Sequence, residues 1–297
     1  MPGEVFRLSE DGPRRIVRRL AYPVLLLAMV AVAAAALFLR LDTGPVTALF
    51  QASVISYLAL LERVIPYDRE WHPSRGEWGR YLIYFLLTVA GSVVAQFLVA
   101  ALVGIFSPAD PKLPLWADIP SALAVGSLAS YLLHRLSHAN PLLWRLHGIH
   151  HVPDKVNVGN NGVNHILDIV LSQGVVQLSL ALLGFSQEAV FAVGLFVITQ
   201  GYFTHANIDV HIGVLNHLLV SPEQHRLHHS TDLSEAGHYG SDLAVWDKMF
   251  GSYTWYTGRK PAQVGLHDPA SFPRTDAVLA SQVQLWRRRA VSDRQPV

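Results

Sequence analysis

Three apolar runs, 20–39, 46–65 and 81–106, are each long enough to cross the hydrocarbon core of a bilayer, and they restrict what this chain can fold into. A helix of about 20 residues rises about 30 Å, the thickness of that core. In lipid every backbone N–H and C=O needs a partner within the protein, so such runs become helices. The first run is too long for the apolar core of a signal peptide and reads as a retained membrane anchor. The second, softened by Ser53, Ser56 and Glu62, ends at Pro66; Trp71 and Trp78 in the polar stretch that follows suit a membrane–water interface. Pro108, Pro111 and Pro114 mark a loop after the third run.

A fourth, shorter run over 119–133 leads into His134 and His138. Two more, 166–183 and 189–204, are separated by only five residues and are expected to form a helical hairpin, both somewhat short for full spans. The predicted fold is therefore all-α: a polytopic membrane helical bundle of about four spans plus a final hairpin, with a histidine-rich cap. Hydrophobic residues make up 51% of the chain and charged ones 15%, which is unusual for a soluble domain. The net charge of +1 gives no electrostatic case for a nucleic-acid partner.

Positive charge sets the expected orientation. If all six runs cross, residues 1–19, 62–80, 134–165 and 205–297 share one side and hold 21 of the 23 Lys and Arg; only Arg40 and Lys112 fall outside. Without the long C-terminal stretch the bias is still 12 to 2. Lysine and arginine collect in cytoplasmic loops, so both termini are expected in the cytoplasm. The same topology places every histidine cluster on that side.

Those clusters carry the chemistry. His134 and His138 are four residues apart; His147, His150 and His151 follow an i, i+3, i+4 pattern, and His225, His228 and His229 repeat it. On helices each set shares a face. Neutral imidazole is the commonest biological metal ligand, and eight exceed what one ion takes, so two ions are more natural than one. The chain has no cysteine, which excludes disulfides, Fe–S clusters, thiolate zinc sites and a catalytic thiol. Bis-histidine haem leaves most of the histidines unexplained, and no HExxH protease motif is present. Transport of metal would place ionisable groups along a path through the membrane, whereas these gather at one face; a non-catalytic membrane metal-binding or transport protein is the alternative reading.

The segments HRLSH (134–138), LWRLHGIHH (143–151), SPEQHRLHH (221–229) and WDKMFGSY (246–253) resemble, in order and separation, the fatty acid hydroxylase/sterol desaturase superfamily of membrane-bound di-iron enzymes. The resemblance covers roughly residues 50–256. It implies a further ligand before the last triplet, matched here by His205, giving nine: His134, His138, His147, His150, His151, His205, His225, His228 and His229. It implies two Fe ions, with zinc an alternative occupant on isolation, and no catalytic group beyond the metal centre. It further implies O2-dependent hydroxylation or desaturation of a lipid: a fatty acyl chain, sterol, ether lipid or amino-acid lipid. No nucleotide-binding, haem-binding or Fe–S segment accompanies it, so electrons are expected from an external ferredoxin- or cytochrome-type donor, docking near Arg287, Arg288 and Arg289 unless those contact anionic lipid instead.

Asp168 and Asp247 are candidates to hydrogen-bond ligand histidines. Asn207 either orients a metal-bound water or caps a helix end. His238 stands where asparagine is expected in many relatives, as an orienting group or a feature of the substrate cavity. His165, His211 and His217 are further candidate ligands or supports; His72 and His267 are placed in interfacial loops, and Trp144 is expected to anchor the segment of His147, His150 and His151 at the interface. Arg135 and Arg226 either bind lipid phosphate or hold acidic neighbours. The expected organisation is a basic segment with a first membrane helix (1–45), a catalytic domain (46–256) and a cytoplasmic tail (257–297), in a bacterial inner membrane.

Overall fold

The computed structural model describes residues 12–105 and 113–283, and within them the chain is helical with no strand, only isolated bridges such as Pro66–Ile208 and Leu219–Leu243. The three long apolar runs form α1 (Gly12–Leu39), α2 (Thr43–Val64) and α3 (Arg75–Ile105), each long and apolar enough to cross a membrane. Asp42 starts α2 by accepting the Gly44 N–H at 3.0 Å. Along α3 the side chains of Leu82, Ile83, Leu86, Phe97 and Leu98 stand exposed, as befits a helix bathed in lipid.

α4 (Leu115–Ala139) carries the first histidine pair. It stops at Asn140, whose side chain accepts the N–H groups of Leu142 and Leu143 at 2.9 and 3.2 Å, and Pro141 opens α5 (Pro141–His147). α6 (Ile166–Leu182) and α7 (Gln187–Thr204) occupy the two runs expected as a hairpin. They do not chiefly pair with each other. α6 packs on α3 and α4, α7 on α1, α2 and α4, so α4 is common to both. Small residues on α4 permit this: Ala122 is buried with Leu180 of α6 and Ala189 and Val193 of α7, and a Cβ at Gly126 would already touch Val176 and Leu180. α4, α6 and α7 do not combine the length and apolarity of the first three helices.

A second core lies where α1, α2 and α7 meet; Tyr22 stacks on Phe203 with centroids 4.1 Å apart and donates to Gln200 Oε1 at 2.7 Å. Beyond α7 come α8 (Pro222–His228), α9 (Val245–Met249) and α10 (Val278–Gln282). The described residues after 256 return to the bundle: Phe272 packs on Trp144, Ser281 meets the Tyr84 hydroxyl at 2.9 Å, and Gln282 bonds to Ile166 N and Asn164 O. Arg287, Arg288 and Arg289 lie outside the described residues.

Candidate metal centre

The end of α4, the α5 turn, the end of α7 and α8 converge on one pocket, and with them all nine histidines. They fall into two groups: His134, His138, His147, His151 and His228 form one, His150, His205, His225 and His229 the other. Within each, one ring nitrogen per residue lies within 4.8 Å of the rest. The triplets are split between the groups. On a helix i and i+4 lie about 40° apart while i+3 falls on the other side of i, so the i, i+4 pairs stay together and the i+3 residue turns to the neighbouring group. After α5 the backbone also tightens into a 3-10 turn, Gly148–His151, which rotates His150 away.

Five of the rings are held from behind. The Nδ1–H groups of His134, His150, His205 and His228 donate to the carbonyl oxygens of Tyr239, Val163, Asn157 and Gly237 at 2.6, 3.3, 3.0 and 3.0 Å. His147 Nδ1 donates to the Asp168 carboxylate at 3.1 Å. A carbonyl can only accept, so the proton sits on Nδ1 and the Nε2 lone pair faces the cluster. There the nitrogens approach each other: His134 Nε2 to His147 Nε2 is 2.9 Å, His147 to His151 is 3.3 Å, and His225 to His229 is 3.1 Å.

Two imidazole lone pairs at such distances repel unless a cation lies between them. A divalent ion bonded to imidazole at about 2.0–2.1 Å sets adjacent ligand nitrogens about 2.8–3.4 Å apart for octahedral to tetrahedral angles, a range that includes the spacing seen here. The buried Nε2 of His205, which has no hydrogen-bond partner while its Nδ1 is tied to Asn157 O, adds to the fit of this donor set to metal. Burial, reinforced by the neighbouring imidazoles, holds His150, His151, His225, His228 and His229 well below the ordinary histidine range, so each is neutral and able to bind a cation at pH 7.

The surrounding residues have distinct tasks. Asp168, in the first turn of α6, touches His147 directly. Asp247 acts one step further out: its carboxylate accepts the N–H groups of Tyr239 and Gly240 at 2.8 and 3.0 Å and the Ser252 hydroxyl at 2.7 Å, fixing the loop whose Tyr239 carbonyl holds His134. Asn207 points elsewhere. Its side chain accepts Asp68 N–H and donates to Asp68 O, joining the end of α7 to the loop after α2. His238, at φ 61°, accepts the N–H groups of Thr254 and Trp255 through Nε2 and so organises the 252–255 turn; that left-handed backbone is one asparagine adopts readily.

The remaining histidines stand outside both groups. His165 caps α6 and donates to Gln282 O; His211 pairs with Glu223; His217 lies against Tyr253; His72 donates to Glu62 O and His267 to Thr231 O. Trp144 is not an interfacial anchor but is buried against His138 and His151, with centroids 5.0 and 5.5 Å away, because Phe272 covers it. Arg226 is buried over the Tyr67 ring, and Arg135 donates to Tyr131 and to Phe250 O.

Three supports had no sequence signal pointing at the site. Glu62, buried at the end of α2, accepts Val158 N–H and Asn207 N–H at 2.7 and 2.8 Å and so positions the Asn157 carbonyl that holds His205. Gly237, which supplies the carbonyl for His228, lies against Ser252 O so closely that no Cβ fits. Gly148 is packed beneath Phe272 and Trp144 in the same way.

Comparison with known proteins bears on this site directly. The fatty acid hydroxylase family model matches residues 119–252, which contain all nine histidines. The ornithine lipid hydroxylase OlsE of Rhizobium tropici is 30% identical over 214 residues, 68% of this chain and 65% of that protein. The alkylglycerol monooxygenases of Homo sapiens and Danio rerio are 30% and 29% identical over 125 residues, 41% of this chain and 27% of theirs. The chain thus spans a little under two thirds of the first relative and about a quarter of the others. No solved structure matches it.

Proposed function

From a chain whose residues 119–252 form a fatty acid hydroxylase domain, we infer an iron-dependent enzyme that hydroxylates a C–H bond of a membrane lipid. The balance is R–H + O2 + 2 e⁻ + 2 H⁺ → R–OH + H2O, with the electrons supplied by an external ferredoxin- or cytochrome-type donor. The observation that carries it is the pair of histidine groups whose facing nitrogens stand 2.9–3.3 Å apart, five of the nine rings having their outer nitrogen tied to a fixed acceptor. Nine imidazoles with no thiolate among them suit two ions of iron.

When bound, the metal pair supplies O2 activation and the oxidising equivalent for the C–H bond. The protein's own residues do the rest. Asp168 and the four carbonyls fix each tutored ring in one tautomer and orientation. Trp144 and Phe272 pack against the group containing His151 and keep water from that side. All three relatives named above are called hydroxylase or monooxygenase, which favours hydroxylation over desaturation. The ornithine lipid hydroxylase matches far more of the chain than the alkylglycerol monooxygenases do, which favours an amino-acid lipid over an ether lipid.

The length and apolarity of α1 to α3 support a membrane enzyme, and the charge bias of the sequence supports an orientation with its histidines and both termini in the cytoplasm, in a bacterial inner membrane. Residues 46–256 are the catalytic region, 1–45 its basic anchor, and 257–297 a C-terminal segment whose described part braces α5 and α6. The test is purification in detergent, elemental analysis, and O2 uptake with reductant and a lipid extract. About two irons per chain, and lipid-dependent uptake abolished in His150→Ala, are expected. A single zinc with no uptake would overturn the reading.

A further inference from the structure

The chain between α8 and residue 252 does not rest on top of the bundle but runs down its side. Trp246 Nε1 donates to Ser127 Oγ at 3.0 Å, and that hydroxyl donates to Asp242. Further along α4 the Tyr131 and Ser252 hydroxyls meet at 2.9 Å, and Arg135 Nη1 donates to Phe250 O at 3.0 Å. These pins follow α4 from Ser127 to Arg135. Ser127 lies seven residues before His134, which is about 10 Å along the helix axis. Residues 242–252 therefore reach well past the metal ligands toward the middle of α4. Gln200, a turn before the end of α7, donates to Val220 O and Asp242 O and marks the same depth. Opposite, Thr88 donates to Gly162 O beside the Val163 carbonyl that holds His150, at a level where Leu82, Ile83 and Leu86 of α3 are already exposed apolar surface.

At this depth the outer surface is apolar. Val214 is 79% exposed and Met249 69%, and Leu215, Leu218 and Phe250 are exposed with them. The two stretches adjoin: Ala244 N–H donates to Leu218 O at 2.9 Å, and the Tyr253 hydroxyl donates to Asn216 O at 3.0 Å. The patch continues onto α4, where Leu132 and Leu136 are exposed and Phe250 stacks on Tyr131. Lys248 is exposed within it, its ammonium 4.9 Å from the Tyr253 ring. Clustered apolar side chains of this size do not face water singly by accident, and a lysine among them suits the phosphates of a leaflet.

We propose that the histidine cap is partly immersed in the membrane, with the 3-10 turn Gly213–His217, Leu218, Met249 and Phe250 facing acyl chains of the leaflet on the histidine side. The inference rests on the reading of the long helices as membrane-spanning. It places a lipid-wetted rim beside the ligands on α4, so a substrate still held in its leaflet lies close to the metals.

The absence of cysteine allows a clean test. Val214→Cys and Met249→Cys, each carrying a nitroxide, are compared in proteoliposomes with Phe97→Cys on α3 and with Ser234→Cys in an exposed polar loop. Collision with O2, which concentrates in lipid, is measured against collision with a water-soluble nickel chelate. Labels at 214 and 249 are expected to follow the label at 97, with an O2-to-nickel ratio several-fold above that at 234. A ratio like that at 234 overturns immersion. Shielding from both reagents, with dipolar broadening, means a second copy covers the patch and overturns it too. If the label at 97 is itself reached by nickel, the membrane-spanning reading fails first, and neither result depends on metal or activity.

Discussion

Asp168 offers the sharpest test of how the two histidine groups are built. Its carboxylate is 3.1 Å from His147 Nδ1, and His147 belongs to the five-histidine group, while His150 beside it is tied separately to the Val163 carbonyl. Removing a group that orients a metal-bound histidine lowers metal affinity about 10–100-fold. Asp168→Asn keeps an oxygen able to accept from Nδ1 and loses only the charge, so the lower end, about 10-fold or 1.4 kcal/mol, is expected. Asp168→Ala loses the acceptor as well and leaves a buried ring free to rotate, so about 100-fold, near 2.7 kcal/mol, is expected. The effect should fall on one ion. Competition with a graded chelator, followed by metal analysis per chain, should show wild type releasing its ions late and the variants releasing the first at lower chelator while the second holds. Release of both ions together in Asp168→Asn, or a profile identical to wild type, would refute the assignment of Asp168 to one group.

Other expectations follow from the same geometry. Gly237→Ala sets a Cβ against Ser252 O, a backbone atom, and displaces the carbonyl that holds His228; an overpacking loss of about 1–3 kcal/mol is expected in thermal unfolding, with lower metal content in the folded fraction. His211 lies 2.9 Å from the Glu223 carboxylate, which raises its pKa above the ordinary value. That contribution is full below about 6.5 and is lost as pH rises through the raised value, so the melting temperature of wild type should fall relative to His211→Gln across this window; parallel pH profiles would contradict it. His267→Ala and His72→Ala, outside both groups, should leave metal content unchanged, whereas His205→Ala should reduce it; equal loss in all three by elemental analysis would dissolve the distinction.

Eight of the nine clustered histidines were legible in the sequence because imidazoles at i, i+4 and i, i+3, i+4 carry their spacing openly, whereas His205 came only through the family resemblance; the helix break at Asn140 and Pro141 was legible as well. The long helices were legible because apolar length alone decides them. What the sequence hid is of two kinds. Trp144 and the α6–α7 pair depend on neighbours distant in the chain: Phe272 buries the first, and the small face of α4 draws the other two to itself. Asn207 was readable only as a polar residue near a ligand, and its true partner, Asp68, is some 140 residues away. The carbonyls of Asn157, Val163, Gly237 and Tyr239 have no side-chain signature at all, since any residue brings a carbonyl.

Those carbonyls nonetheless decide whether the histidines are ligands. Nine imidazoles packed together without them would each choose a tautomer to bond with a neighbour, and a closed network of ring N–H to ring N contacts would need no metal. By tying the protons of His134, His150, His205 and His228 outward, and that of His147 to Asp168, the loops forbid that solution and turn lone pairs toward one another. The repulsion is relieved when a cation binds. Because the i+3 member of each triplet serves the other group, one turn of backbone positions ligands for both sites. Displacing α8 or the 3-10 turn Gly148–His151 therefore disturbs both groups at once, whereas an outward tie such as that of His147 acts on one. The dispersed order of the histidines along the chain follows from this sharing, since no single turn gives more than two histidines to either group and each group must be completed from other elements.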